Sequence, residues 1–135
     1  MPSIIWNDAF SVGSQPLDDQ HKKWFELYNE VRLCSMKADE SEHVKRVSGA
    51  LKKMIDYAGE HFRSEEAYMK EIGFPGLADH ALVHRRFVET VDRLCRDFSQ
   101  GKQVSCEQIL EFVKEWLLGH VAGEDRSYAS FSKQI

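Results

Sequence analysis

The sequence predicts an all-α fold, an antiparallel up-down-up-down four-helix bundle preceded by an irregular N-terminal arm. Three observations carry that prediction. Apolar residues recur every three or four positions in four separate blocks, the spacing of amphipathic helices. Proline, glycine and capping residues fall between the blocks, where helices should end. No alternating apolar–polar run of useful length marks a strand. Short connections between such blocks favour antiparallel neighbours around a shared core.

Taken in order, residues 1–17 read as an arm that packs Ile4, Ile5, Trp6 and Phe10 on the bundle. The first helix follows Pro16, with Asp18 as its N-cap, and carries His21, Trp24, Phe25, Tyr28 and Val31 on one face. Asp39 with Glu42 resembles a capping box for the second. Its stripe runs from Val44 through Leu51, Met54, Ala58, His61, Phe62 and Glu65 to Met69, and Gly73-Phe74-Pro75-Gly76 stops it. The third stripe includes Leu77, His80, Ala81, His84, Phe87, Val91 and Phe98, and Gly101 closes that helix. Ser105 with Gln108 caps the fourth, which carries Ile109, Leu110, Val113, Trp116, Leu117, His120 and Val121. Helices of roughly 20 residues span about 30 Å. One domain over residues 1–135 is expected, with the bundle at 18–131.

Totals exclude several classes of function. The net charge of −4 and the lack of a basic stripe give no basis for a nucleic-acid partner. No apolar run approaches the ~20 residues of a membrane span. The start, MPSIIWNDAF, has neither the basic nor the apolar region of a secretory signal. Cys34, Cys95 and Cys106 are odd in number, widely spaced and without a CxxC pair. Free thiols in a reduced, cytoplasmic setting are therefore expected. The core uses most of the apolar residues, so a monomer is expected.

The informative residues are polar ones on apolar stripes. Of six histidines, His21, His61, His80, His84 and His120 lie on the stripes; His43 sits near a helix start, off its stripe. Glu65 shares a stripe with His61, one turn away. A buried carboxylate without a partner is costly. A lone core histidine is usually just hydrogen-bonded, but five on facing stripes point to one shared site, built as bundle-core metal sites are. The pair His80 and His84 has the spacing of the zinc-protease motif H-E-x-x-H, yet Ala81 stands where that motif needs glutamate. Zinc would use fewer ligands, calcium and magnesium prefer oxygen, and imidazole with carboxylate suits iron among others. Ferritin-like di-iron sites need two E-x-x-H motifs, and this chain has one, Glu40 to His43.

Those positions, in order, resemble the ligand set of the hemerythrin family: His21 in DDQH, His61 and Glu65 in HFRSEE, His80 and His84 in HALVH, His120 and Asp125 in HVAGED. Flanking residues agree, including Trp6, Val12-Gly13, Met69, Gly73-Phe74-Pro75 and Trp116-Leu117, and the match resembles single-domain bacterial members over essentially the whole chain. The resemblance implies two irons. One takes His80, His84 and His120, the other His21 and His61, with Glu65, Asp125 and a solvent-derived oxo or hydroxo oxygen as bridges. With both irons six-coordinate, that set leaves one position open on the two-histidine iron, where O2 binds. His120 and Asp125, five residues apart, would diverge by roughly 140° on a regular helix. The helix must therefore widen or end there, and Gly119 and Gly123 would permit a π-bulge.

By the same resemblance Phe62, Trp116 and Leu117 wall the O2 pocket, and Gln20 and Tyr128 support the ligands. Trp24 departs from the family pattern, which has leucine or isoleucine there, and would narrow the pocket. The implied function is reversible O2 binding for storage, carriage or delivery to an O2-consuming enzyme, without catalysis. Two alternatives use the same site: a di-iron enzyme acting on peroxide, O2 or nitric oxide, and a sensor of O2, redox state or iron.

Overall fold

A computed structural model describes residues 3–36 and 40–134, with the side chains of 40–42 left out. The arm ends in a short 3-10 turn, Asp8–Phe10, whose first free N–H groups are capped by Asn7. Ile4 is held by a two-way amide bridge. Its N–H donates to Asn29 Oδ1 and its carbonyl accepts from Asn29 Nδ2, both at 2.9 Å. Trp6 and Phe10 close ring to ring on Phe25, at centroid distances of 5.3–5.8 Å. Ile5 does not pack as expected; it is 77% exposed because its neighbour Ile4 takes the inward position.

Helix α1 is Gln15–Ser35, with Ser14 at its N-cap and Pro16 in the first turn, where no N–H is required. Asp18 is therefore not the cap. It lies inside the first turn, buried, and its carboxylate accepts from Val12 N–H at 2.9 Å and the Ser11 hydroxyl at 2.6 Å. This ties the arm to the helix start. The expected capping box of Asp39 and Glu42 lies outside the described side chains.

Helix α2 runs Glu40–Glu71 and α3 Leu77–Ser99. Gly73 turns the chain between them at φ +70°, a left-handed conformation that glycine adopts without a Cβ clash. Gly76 starts α3 under the Phe74 ring, so close that a Cβ there would lie 2.7 Å from it. Helix α4, Cys106–Gly119, opens on the expected capping box: Gln108 N–H donates to Ser105 Oγ and Ser105 N–H to Gln108 Oε1. A π segment, His120–Glu124, continues it into α5, Asp125–Ser132, so the fourth rod of the bundle is one helix with a wide turn inside it.

Helix α1 packs against α2 and α4, and α3 against the same two, which closes an up-down-up-down four-helix bundle. No strand occurs among the described residues. The main core includes Tyr28, Val31, Leu51, Met54, Val91, Ile109 and Val113. A smaller layer, Val12, Leu17, Met69, Tyr128 and Ala129, closes the other end. The polar stripe residues lie one helical turn inside that layer, so apolar surface seals them on both sides. No described helix is long and apolar enough to cross a membrane.

Candidate metal centre

Seven buried polar side chains from the four rods meet between the two apolar layers: His21, His61, Glu65, His80, His84, His120 and Asp125. Helical spacing delivers most of them. His61 and Glu65 are one turn apart on α2, as are His80 and His84 on α3. Asp125 needs the π segment, whose wider turn swings it onto the face that His120 occupies; it is fully buried. The glycines are not what makes this turn. Gly119 and Gly123 both have negative φ, and a Cβ on either would meet nothing within 4 Å.

The donor atoms fall into two overlapping groups, each with its atoms within 4.8 Å of one another. In the first, His80 Nε2 and His84 Nε2 face His120 Nε2 at 3.2 and 3.0 Å. Glu65 Oε1 lies 3.0 Å from His80 and 2.9 Å from His84, and Asp125 Oδ1 lies 3.0 Å from His80 and 2.9 Å from His120. The second group uses the other oxygen of each carboxylate. Glu65 Oε2 is 3.4 Å from His21 and 3.2 Å from His61, and Asp125 Oδ2 is 3.2 Å from His21. Each carboxylate therefore spans both groups.

The outward ring nitrogens are held from behind. His61 Nδ1 donates to Gln20 Oε1 at 2.7 Å, and His84 Nδ1 to the Glu66 carboxylate at 2.9 Å. Both acceptors require the proton on Nδ1, which leaves Nε2 of the neutral ring with its lone pair pointing inward. Glu124 lies 3.3 Å from His120 Nδ1. Tyr128 donates to Glu65 Oε2 at 3.0 Å, fixing the carboxylate that both groups share. Gln20 and Tyr128 thus each hydrogen-bond a residue of the cluster. Glu66 and Glu124 were not singled out as partners: Glu66 meets its ring only across α2 and α3, while the i,i+4 spacing of His120 and Glu124 was the signal that could have found the second.

A cation is what this cluster is built to hold. His61 Nε2, both nitrogens of His21 and both Asp125 oxygens are buried without a hydrogen-bond partner. Facing lone pairs and orphaned buried acceptors are expensive unless a positive charge sits among them. Without a metal, protons take that role. Burial lowers the pKa of His21 and His80, but Asp125 and Glu65 outweigh it and lift both to about 9. Burial likewise opposes the rise at His120, which Asp125, Glu124 and Glu65 carry to about 11. His61 moves down, since burial dominates there. Burial would raise Glu65, yet the surrounding imidazoles hold it well below the usual carboxylate range, and Asp125 is also lowered.

An aromatic wall covers the centre from the main core. Phe62 stacks flat on His84 at 3.9 Å, and Trp116 on His120 at 4.3 Å. Trp24 is fully buried and fits between His61, Phe62, Phe87 and Trp116, at 5.4–6.0 Å between centroids. Leu117 is fully buried one turn before His120.

The chain is similar to known proteins over most of its length. Residues 12–131 match the family model described as hemerythrin HHE cation binding domain. A bacteriohemerythrin of Stenotrophomonas maltophilia is 30% identical over 129 residues, covering 96% of this chain and 81% of the relative. A hemerythrin-like protein of Naegleria gruberi is 31% identical over 123 residues, covering 91% and 88%. The crystal structure of a wild-type hemerythrin superposes with a TM-score of 0.83 at 29% identity, over 94% of this chain and 95% of the other. The chain belongs to the hemerythrin family, and its buried histidine–carboxylate cluster is a non-haem metal site.

Proposed function

We propose that this hemerythrin-family chain binds O2 reversibly at a di-iron centre held by His21, His61, Glu65, His80, His84, His120 and Asp125. The observation that carries the reading is the split of the two carboxylates, each with one oxygen in either donor group. A bidentate bridge between two ions needs that arrangement; a single ion does not. Such a centre supplies the redox chemistry that holds O2 and lets it go.

The two groups are unequal. One offers five ligand atoms and the other four. A solvent oxygen shared between them adds one to each and leaves the His21–His61 side one short of an octahedral set. That is the side Trp24 overlooks, through its contact with His61. Trp24, Phe62, Trp116 and Leu117 keep the surroundings apolar, which restricts water and proton supply and favours release of O2 over its reduction. The names of the similar proteins, bacteriohemerythrin and hemerythrin, support an O2 binder over an enzyme. An O2-consuming enzyme is the class of recipient such a carrier would serve.

The test is one redox cycle followed in the visible. The protein is loaded with iron, reduced anaerobically, exposed to O2 and returned to vacuum or argon. Charge-transfer bands that rise with O2 and vanish on its removal support the proposal. Immediate oxidation that removal cannot reverse, with repeated turnover of O2 or peroxide, contradicts it.

A further inference from the structure

Iron has to reach a centre that is closed on most sides. His21, His61, His84 and His120 are at most 2% exposed, whereas His80 reaches 6%. A cavity touches the cluster at His80 and another at His84, and the two differ in charge. One, of about 210 Å³, lies between the start of α3 and the π segment, where His80, Asp79, Glu124 and Ser127 meet the apolar side chains of Phe74 and Val83. The other, of about 290 Å³, lies between α2 and α3, where Phe62 and His84 meet Arg63, Arg85 and Glu66.

The second cavity is a poor route for a cation. Two guanidinium groups line it against one carboxylate, and Phe62 lies flat over the His84 ring. The first carries two carboxylates and no cationic side chain among its lining residues. It touches His80, a member of the five-atom donor group, and Glu124 connects it to His120 at 3.3 Å. Carboxylate and hydroxyl oxygens can replace the waters of an incoming divalent ion one at a time before nitrogen takes over.

We propose that the cavity at His80 is the port through which ferrous iron reaches the centre, with Asp79 and Glu124 drawing the hydrated cation toward His80. This rests on the metal-centre reading above. Asp79 also lies in the first turn of α3, where a carboxylate favours the helix N-terminus. That role affects stability and leaves the rate of metal uptake untouched, so the two can be separated.

The experiment mixes metal-free protein with ferrous iron anaerobically and follows the loss of tryptophan fluorescence. Trp24 and Trp116 suit this readout, with rings 5.8 Å from His61 and 4.3 Å from His120. Cleft electrostatics of this kind change association rates by about ten-fold or more, so Asp79→Lys should slow uptake by about ten-fold and Asp79→Asn by about three-fold. Both variants should reach the wild-type iron content and keep the wild-type circular dichroism. The wild-type rate should fall with added salt and that of Asp79→Lys should not. Arg63→Gln and Arg85→Gln should leave the rate within about two-fold. Wild-type uptake by Asp79→Lys, or a change confined to the arginine variants, overturns the port. A wild-type chain that takes up no iron overturns the metal centre itself, a separate outcome.

Discussion

The two ends of the bundle solve the same problem differently. Toward the far end, α1, α2, α3 and α4 close on Tyr28, Val31, Leu51, Met54, Val91 and Val113, all of them 1% exposed or less. Toward the other end the same four rods close on five imidazoles and two carboxylates, also buried, with His80 the most exposed of them at 6%. The first end is stable through apolar burial alone, worth about 25 cal/mol per Å² removed from water. The second gains nothing from burial until its facing donors share a positive charge. One part of the fold is thus unconditional, and the other depends on metal or protons.

Removing a ligand should break the contrast most visibly. In His84→Ala or His80→Ala the metal site loses a donor and strands Glu65 among the remaining groups, so iron binding should be lost and the melting temperature should fall to that of the metal-free protein. Iron retention at the wild-type level would contradict the assignment. Leu51→Ala, at the apolar end, should cost about 2–5 kcal/mol in the metal-free and loaded forms alike. A cost that depends on metal would mean that the two ends are not independent.

Next in size is the effect of pH on the metal-free protein. His21 and His80 are raised to about 9 and His120 to about 11, so their protons stabilise the fold fully below the ordinary 6.5. That contribution is lost as pH climbs through 9 and then 11. Glu65 and Asp125 are lowered, so their contribution is present above the usual carboxylate range and disappears as pH falls into acid. His61 runs the other way, its burial favouring higher pH. Thermal melts of the metal-free chain should therefore decline from pH 6.5 toward 9, and iron loading should remove most of that decline because the metal displaces the protons. Parallel pH profiles with and without iron would show that the cluster does not exchange protons for metal.

Partners behind the ligands should matter less. Tyr128→Phe and Gln20→Leu each remove a hydrogen bond to a ligand, and metal affinity should fall by about 10–100-fold, read by competition with a chelator. The smallest effect on metal binding is expected at Trp24. Trp24→Leu should leave iron content intact and change O2 release or autoxidation, because the indole overlooks His61 without contributing a donor to either group. Unchanged kinetics would make Trp24 packing alone.

The sequence exposes this asymmetry unevenly. Helical periodicity placed His21, His61, Glu65, His80, His84 and His120 on inward stripes, since each lies one or two turns from an apolar neighbour. Asp125 could not be read that way. It is off the regular face, and only the five-residue gap to His120, set beside the family pattern, called for a widened turn. Glu66 and Glu124 each face outward on their own helix. The partner of Glu66 comes from α3, which no one-helix pattern contains, whereas the i,i+4 spacing of His120 and Glu124 was open to reading and was missed. Asp18 was misread for a local reason: the chain turns into helix at Gln15, and the carboxylate reaches back to the arm instead of capping forward.

Whether two metal ions share Glu65 and Asp125 is measured directly by iron per chain together with electron paramagnetic resonance of the oxidised protein. Two irons per chain, magnetically coupled and silent in the resting ferric state, would agree with two bridging carboxylates. One iron per chain with the signal of an isolated ferric ion would mean that the two donor groups never fill together, and would contradict a shared di-iron centre.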